Sequence, residues 1–102
     1  MAHFIELPAW RLESWREMTN RNAHGKCLEA IADYCATFAQ GEARGDLEDL
    51  AGLFNKINAR HEMRGHLPAI LGETRRMLSE HLYTIIGREF GPDVLEKIYS
   101  TG

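Results

Sequence analysis

The run from Leu67 to Phe90, LPAILGETRRMLSEHLYTIIGREF, restricts the fold more than any other stretch of the chain. At ~100° per residue, Leu67, Leu71, Thr74, Leu78, Leu82 and Ile85 fall on one seam of an α-helix. Ile70 and Met77 widen that seam on one side and Ile86 on the other, while Ala69, Glu73, Arg76, Glu80 and Gly87 take the opposite side. A stripe this broad needs neighbours on two sides, so the run reads as the central helix of a bundle. Pro68 suits a first helical turn, where its missing N–H costs nothing, and Gly91-Pro92 ends the run.

The remaining sequence supplies the neighbours. Residues 1–8 form an N-terminal arm, with the apolar His3–Leu7 stretch expected to lie extended on the bundle. Pro8 opens a first helix from Ala9 to about Thr19. Trp10 and Trp15 lie five residues apart on it, ~140° around the helix, so the two rings cannot enter the same groove. Asn20-Arg21-Asn22 is a break, with Asn20 or Asn22 as cap. A second helix to about Gln40 carries Leu28, Ile31, Cys35 and Phe38 at helical spacing. Gly41-Glu-Ala-Arg-Gly45 reads as a loop, short enough to make the flanking helices antiparallel neighbours. Asp46 is the expected cap of a third helix, whose seam is Leu47, Leu50, Phe54, Ile57, Asn58 and His61 and which Gly65 stops. After Gly91, Pro92-Asp93 starts a short last helix with Val94, Leu95, Ile98 and Tyr99 available to close the core. The expectation is one domain over residues 1–102, an all-α antiparallel bundle of four main helices plus a short C-terminal helix.

Composition narrows the class of function. Apolar residues make up 44% and charged residues 26%, as in a globular protein rather than a disordered one. A formal net charge of −3 argues against general affinity for nucleic acid or anionic membrane. No apolar run approaches the ~20 residues of a membrane span. MAHFIELPAW has neither a basic n-region nor a long apolar h-region, so no signal peptide is expected. Cys27 and Cys35, eight residues apart in one helix, sit roughly 12 Å apart and cannot pair. They read as small apolar fillers in a reducing compartment, with the cytoplasm as the expected location.

Several clusters hold residues capable of chemistry. HEMRGH, from His61 to His66, lacks the four-residue histidine spacing of a zinc-protease helix. No Glu is followed three positions later by His, which removes the di-iron bundle motif. Arg76-Met-Leu-Ser-Glu-His81 resembles the Arg-x4-His pattern of the HEPN helical ribonucleases, and Arg60 to His66 resembles a looser form. That resemblance, confined to these residues, implies Arg76 and His81 as a catalytic pair. On an unbroken helix the two diverge by ~140° with Arg76 toward solvent, which favours an exposed arginine and a boundary histidine. If helices two and three are antiparallel, His24 and Cys27 come level with His61, with His66 in the turn beyond. Such a set has zinc-type ligands but no tight spacing, and solvated or carbonyl-bonded histidines explain it more simply.

Charge is uneven. Residues 29–49 hold six carboxylates against Arg44, and Lys56, Arg60 and Arg64 step by four along one flank of helix three. That flank is either a solvated face or a site for an acidic protein, a second copy of the molecule, or a nucleic-acid backbone, the last disfavoured for want of interleaved aromatics. Surplus aromatic groups at Trp10, Tyr83 and Phe90 favour contact with a partner. The expected function is therefore a non-catalytic protein-interaction or regulatory module of adaptor or inhibitor type, monomeric or homodimeric, without a cofactor. Its candidate partner-binding residues are Lys56, Arg60, Arg64 and Trp10. The alternatives are a metal-binding helical protein or HEPN-like ribonuclease, and a nucleic-acid binder using the basic flank.

Overall fold

The computed structural model describes residues 2–64 and 69–101, and the side chains of these other than 61–64 and 69–70. The helices are α1 (Ala9–Asn20), α2 (His24–Phe38), α3 (Gly41–Arg64), α4 (Ala69–Phe90) and α5 (Pro92–Tyr99), with no strand among the described residues. The fold is thus an all-α bundle of four main helices and a short C-terminal one. No helix of the described residues is long and apolar enough to cross a membrane.

The core is organised around α2, not around the Leu67–Phe90 run. Gly25, Cys27, Leu28, Ile31, Ala32, Cys35 and Ala36 are all buried on α2. Against them pack Leu47, Leu50, Phe54 and Ile57 of α3, Trp15 of α1, Leu82, Ile86 and Phe90 of α4, and Ile98 of α5. Small residues at Gly25, Ala32 and Ala36 let neighbouring helices close on α2, whereas among the described side chains of α4 the buried ones begin at Leu82. Thr74 and Met77 are exposed and Leu71 and Leu78 only half-buried, so the first half of that broad stripe lacks its expected neighbours. Leu67 and Pro68 lie outside the described residues.

Two boundaries differ from the sequence expectation for identifiable reasons. Asn22 closes α1 rather than capping α2. It adopts a left-handed φ of 61°, its N–H bonds the Thr19 carbonyl at 3.0 Å, and the Ala23 N–H bonds the Met18 carbonyl at 2.8 Å. This is a Schellman closure with asparagine in the place glycine usually takes. Asn20 is the last residue of α1, and α2 starts after Ala23 with no side-chain cap.

The Gly41–Gly45 segment is not a loop. The α2–α3 connection is only Ala39-Gln40; Gly41, at φ +58°, makes the turn and α3 begins there, with Glu42 favouring the dipole of the first turn. Asp46 is consequently half-buried inside α3 and caps nothing. A long helix absorbs Gly45 at a cost of about 1 kcal/mol.

Glu89 fastens these parts together. One carboxylate oxygen accepts the Gln40 N–H and meets His3 Nδ1, both at 2.9 Å, while the His3 N–H donates to the Glu89 carbonyl at 2.7 Å. Ile5 is buried and the Tyr34 hydroxyl donates to the Glu6 carbonyl, which ties the 2–8 segment to the bundle. Gly91, at φ +98°, separates α4 from α5, and Pro92 occupies the first turn of α5.

Candidate functional site

The two tryptophans take opposite fates, as their angular offset requires. Trp15 is 1% exposed and packs edge-on against Tyr34, with ring centroids 5.6 Å apart. Trp10 is 63% exposed. In the arm, Phe4 is 76% exposed because Ile5, its chain neighbour, takes the inward side. Phe4 meets Phe38 edge-on at 6.5 Å, and Phe38 lies 5.2 Å from Tyr34. A continuous aromatic surface therefore runs from the arm across α2 to α1.

Arg11 sits within it. Its guanidinium carbon lies 4.4 Å from the Trp10 ring centroid and 4.7 Å from that of Tyr34. Such stacking places a cation on the electron-rich ring faces. The Nε is buried without a hydrogen-bond partner, and no carboxylate pairs with the guanidinium among the described residues. Sequence reasoning found Trp10 but missed Phe4, Arg11, Tyr34 and Phe38. The signal available for Phe4 was its alternation with Ile5.

The other residues singled out by sequence are dispersed. Lys56 and Arg60 are exposed on α3 and form no ion pair among the described residues, whereas the Arg64 side chain lies outside them. Tyr83 is half-buried against Tyr99, with centroids 5.1 Å apart, and burial followed by the nearby Cys27 and Tyr99 pushes its hydroxyl up to about 12. Phe90 belongs to the core and is no surplus group.

His24 is half-buried beside Leu28, Gly72, Arg75, Arg76 and Ser79, which line a cavity of about 210 Å³ between α2 and α4. Desolvation, then the Arg75 charge, lowers its pKa. Cys27 instead donates its thiol to the Trp15 carbonyl at 3.4 Å, and burial raises its pKa. Burial alone pushes Cys35 up to about 12, so both thiols stay protonated. Among the described residues no three His, Cys, Asp or Glu side chains converge on a metal position. The His61 side chain and His66 lie outside the described residues.

Arg76 is held on the surface of α4 by its own helix. Glu73 accepts from its Nη2 at 2.5 Å and Nε at 3.2 Å, and Glu80 accepts from Nη1 at 2.6 Å. Glu73 first, through its hydrogen bond and then its charge, raises the Arg76 pKa; Arg76 in turn lowers that of Glu73. His81 is exposed one and a half turns further on. Across α2 and α3, Glu29 accepts from Asn55 Nδ2 at 3.1 Å and from Asn58 Nδ2 at 3.0 Å, in a groove that Lys26 and Asp33 also line. No protein-family model, curated protein or solved structure matches this sequence.

Proposed function

We propose that this protein is a small non-catalytic interaction module, adaptor or inhibitor in kind, which engages a protein partner or a second copy of itself. The observation that carries the reading is the aromatic surface at Phe4 and Trp10, two large rings left mostly in water, the second of them with Arg11 over its face. Isolated exposed apolar residues are ordinary, but tryptophan, tyrosine and arginine together are the composition of binding hot spots. The core does not need these two rings, since Ile5 and Trp15 fill the inward positions next to them. Two buried free thiols, Cys27 and Cys35, are ordinary in a reducing compartment, and the location we propose is the cytoplasm.

Phe4→Ser combined with Trp10→Ala tests the reading. Surface substitutions typically change stability by no more than about 0.5 kcal/mol, so helicity and melting temperature should be nearly native. Capture of host proteins, quantified by mass spectrometry, should lose its specific component. An identical capture profile from wild type and double variant would sink the proposal.

A further inference from the structure

We infer that Arg11 is the receptor for a carboxylate, carried by a partner peptide segment with an apolar residue that packs over Trp10. The inference rests on the docking reading above and names the chemistry of its occupant.

Arg11 is the group in this surface whose needs the fold leaves unmet. Its guanidinium carbon lies over the Trp10 and Tyr34 rings, at 4.4 and 4.7 Å from their centroids, and neither ring offers a hydrogen-bond acceptor in the plane of the N–H donors. Nε is buried with no acceptor, and among the described residues no hydrogen bond or ion pair engages the terminal nitrogens. Two exposed arginines are satisfied by carboxylates of their own helix, whereas Arg60 stands unpaired in open solvent among the described residues; Arg11 differs from Arg60 in lying over two aromatic rings with its Nε buried. Arg21 pairs with Glu17 at 2.6 Å, and Arg76 is held by both Glu73 and Glu80. No described carboxylate does the same for Arg11.

A guanidinium held against two rings has lost part of its freedom before any ligand arrives, so a carboxylate docking on the terminal nitrogens, the buried Nε being out of its reach, gains directed, charge-assisted bonds at reduced entropic cost. Apolar contact must accompany it, because the mostly exposed Trp10 ring lies against the guanidinium, and covering that ring excludes the water that would weaken the ion pair. The matching ligand is therefore an apolar residue next to a carboxylate, supplied by an Asp or Glu side group or by the free C-terminus of a polypeptide.

The experiment is a peptide array probed with the intact protein. Each peptide holds one Leu, Phe or Trp and, zero to three residues away, either Glu or Gln; a parallel set ends in the apolar residue as free acid or amide. The expected result is at least ten-fold tighter binding of the carboxylate form in one set. The set showing it identifies an acidic residue or a C-terminus as the source. Arg11→Gln should erase that preference, Arg11→Lys should keep only part of it, and Arg21→Gln should leave it intact. Circular dichroism on each variant confirms that the fold survives; if Arg11→Gln unfolds, the Glu/Gln and acid/amide ratios with wild type decide alone. Binding that needs Trp10 but ignores the carboxylate would overturn this inference and leave the docking reading standing. No Trp10-dependent peptide binding would overturn this inference. A wild-type dimer that Trp10→Ala converts to monomer would also overturn it, by showing that a second copy covers the patch, while leaving the docking reading intact.

Discussion

Asn58 stands where α2, α3 and α4 meet. Its Nδ2 is committed to Glu29, which turns its Oδ1 toward the α-carbon of Gly25. A methyl group built at Gly25 would lie 2.3 Å from that oxygen and 3.3 Å from Arg75 Nη1. Glycine is required there by close approach, not by backbone angle. Gly25→Ala therefore has to displace the amide and break its bond to Glu29. Overpacking of this kind costs about 1–3 kcal/mol and the lost bond to a carboxylate about 1.5 kcal/mol more, against a gain of at most ~1 kcal/mol from replacing glycine in a helix. The expected result is a net loss of about 1 kcal/mol or more in urea denaturation. In an Asn58→Ala background the same substitution should cost nothing, because the obstructing oxygen is gone. Additive losses in that double-mutant cycle would show that the contact does not carry the penalty.

At the scale of elements, α4 changes character along its length. Leu82 is fully buried and Met77 is 59% exposed on the same helix. Leu82→Ala should cost about 2–5 kcal/mol, as should Leu28→Ala on α2, while Met77→Ala should stay within about 0.5 kcal/mol. Equal losses at Leu82 and Met77 would mean that the first half of α4 is packed after all. Helix positions were legible wherever a local punctuation mark decided them: Pro8 before α1, the break at Asn20–Asn22, and Gly91-Pro92 between α4 and α5. Rank within the bundle was not legible, because helical periodicity reports the width of an apolar stripe and not which elements arrive to cover it. Gly41 does mark the turn, but Gly45 misled for a related reason, since tertiary packing overrides a propensity penalty of this size. In the candidate site, the divergence of Trp10 and Trp15 followed from angle alone. The position of Arg11 required Tyr34, which a different helix supplies.

At the scale of the whole molecule, charge remains segregated after folding. Lys56 and Arg60 are exposed on α3 without a carboxylate partner among the described residues, while Asp33, Glu42 and Asp49 are exposed from the acidic 29–49 segment. The fold itself reduces the remaining imbalance, because Asn55 and Asn58 occupy Glu29, Arg44 stands 3.9 Å from Glu48, and Glu73 and Glu80 hold Arg76. A surface bearing separated patches of both signs is complementary to a second copy of itself, and such attraction acts mainly on the association rate. Reversing the basic patch in Lys56→Glu with Arg60→Glu breaks no described contact within the bundle, so helicity and melting temperature should hold. Analytical ultracentrifugation should then show wild-type mass falling toward 11.6 kDa as salt screens the patches, with the double variant already there at low salt. A wild type that sediments at 11.6 kDa at every ionic strength would make the flank a solvated face. The aromatic surface would then stand alone as the contact region, since Phe4 and Trp10 act by burial and their partner should persist at high salt.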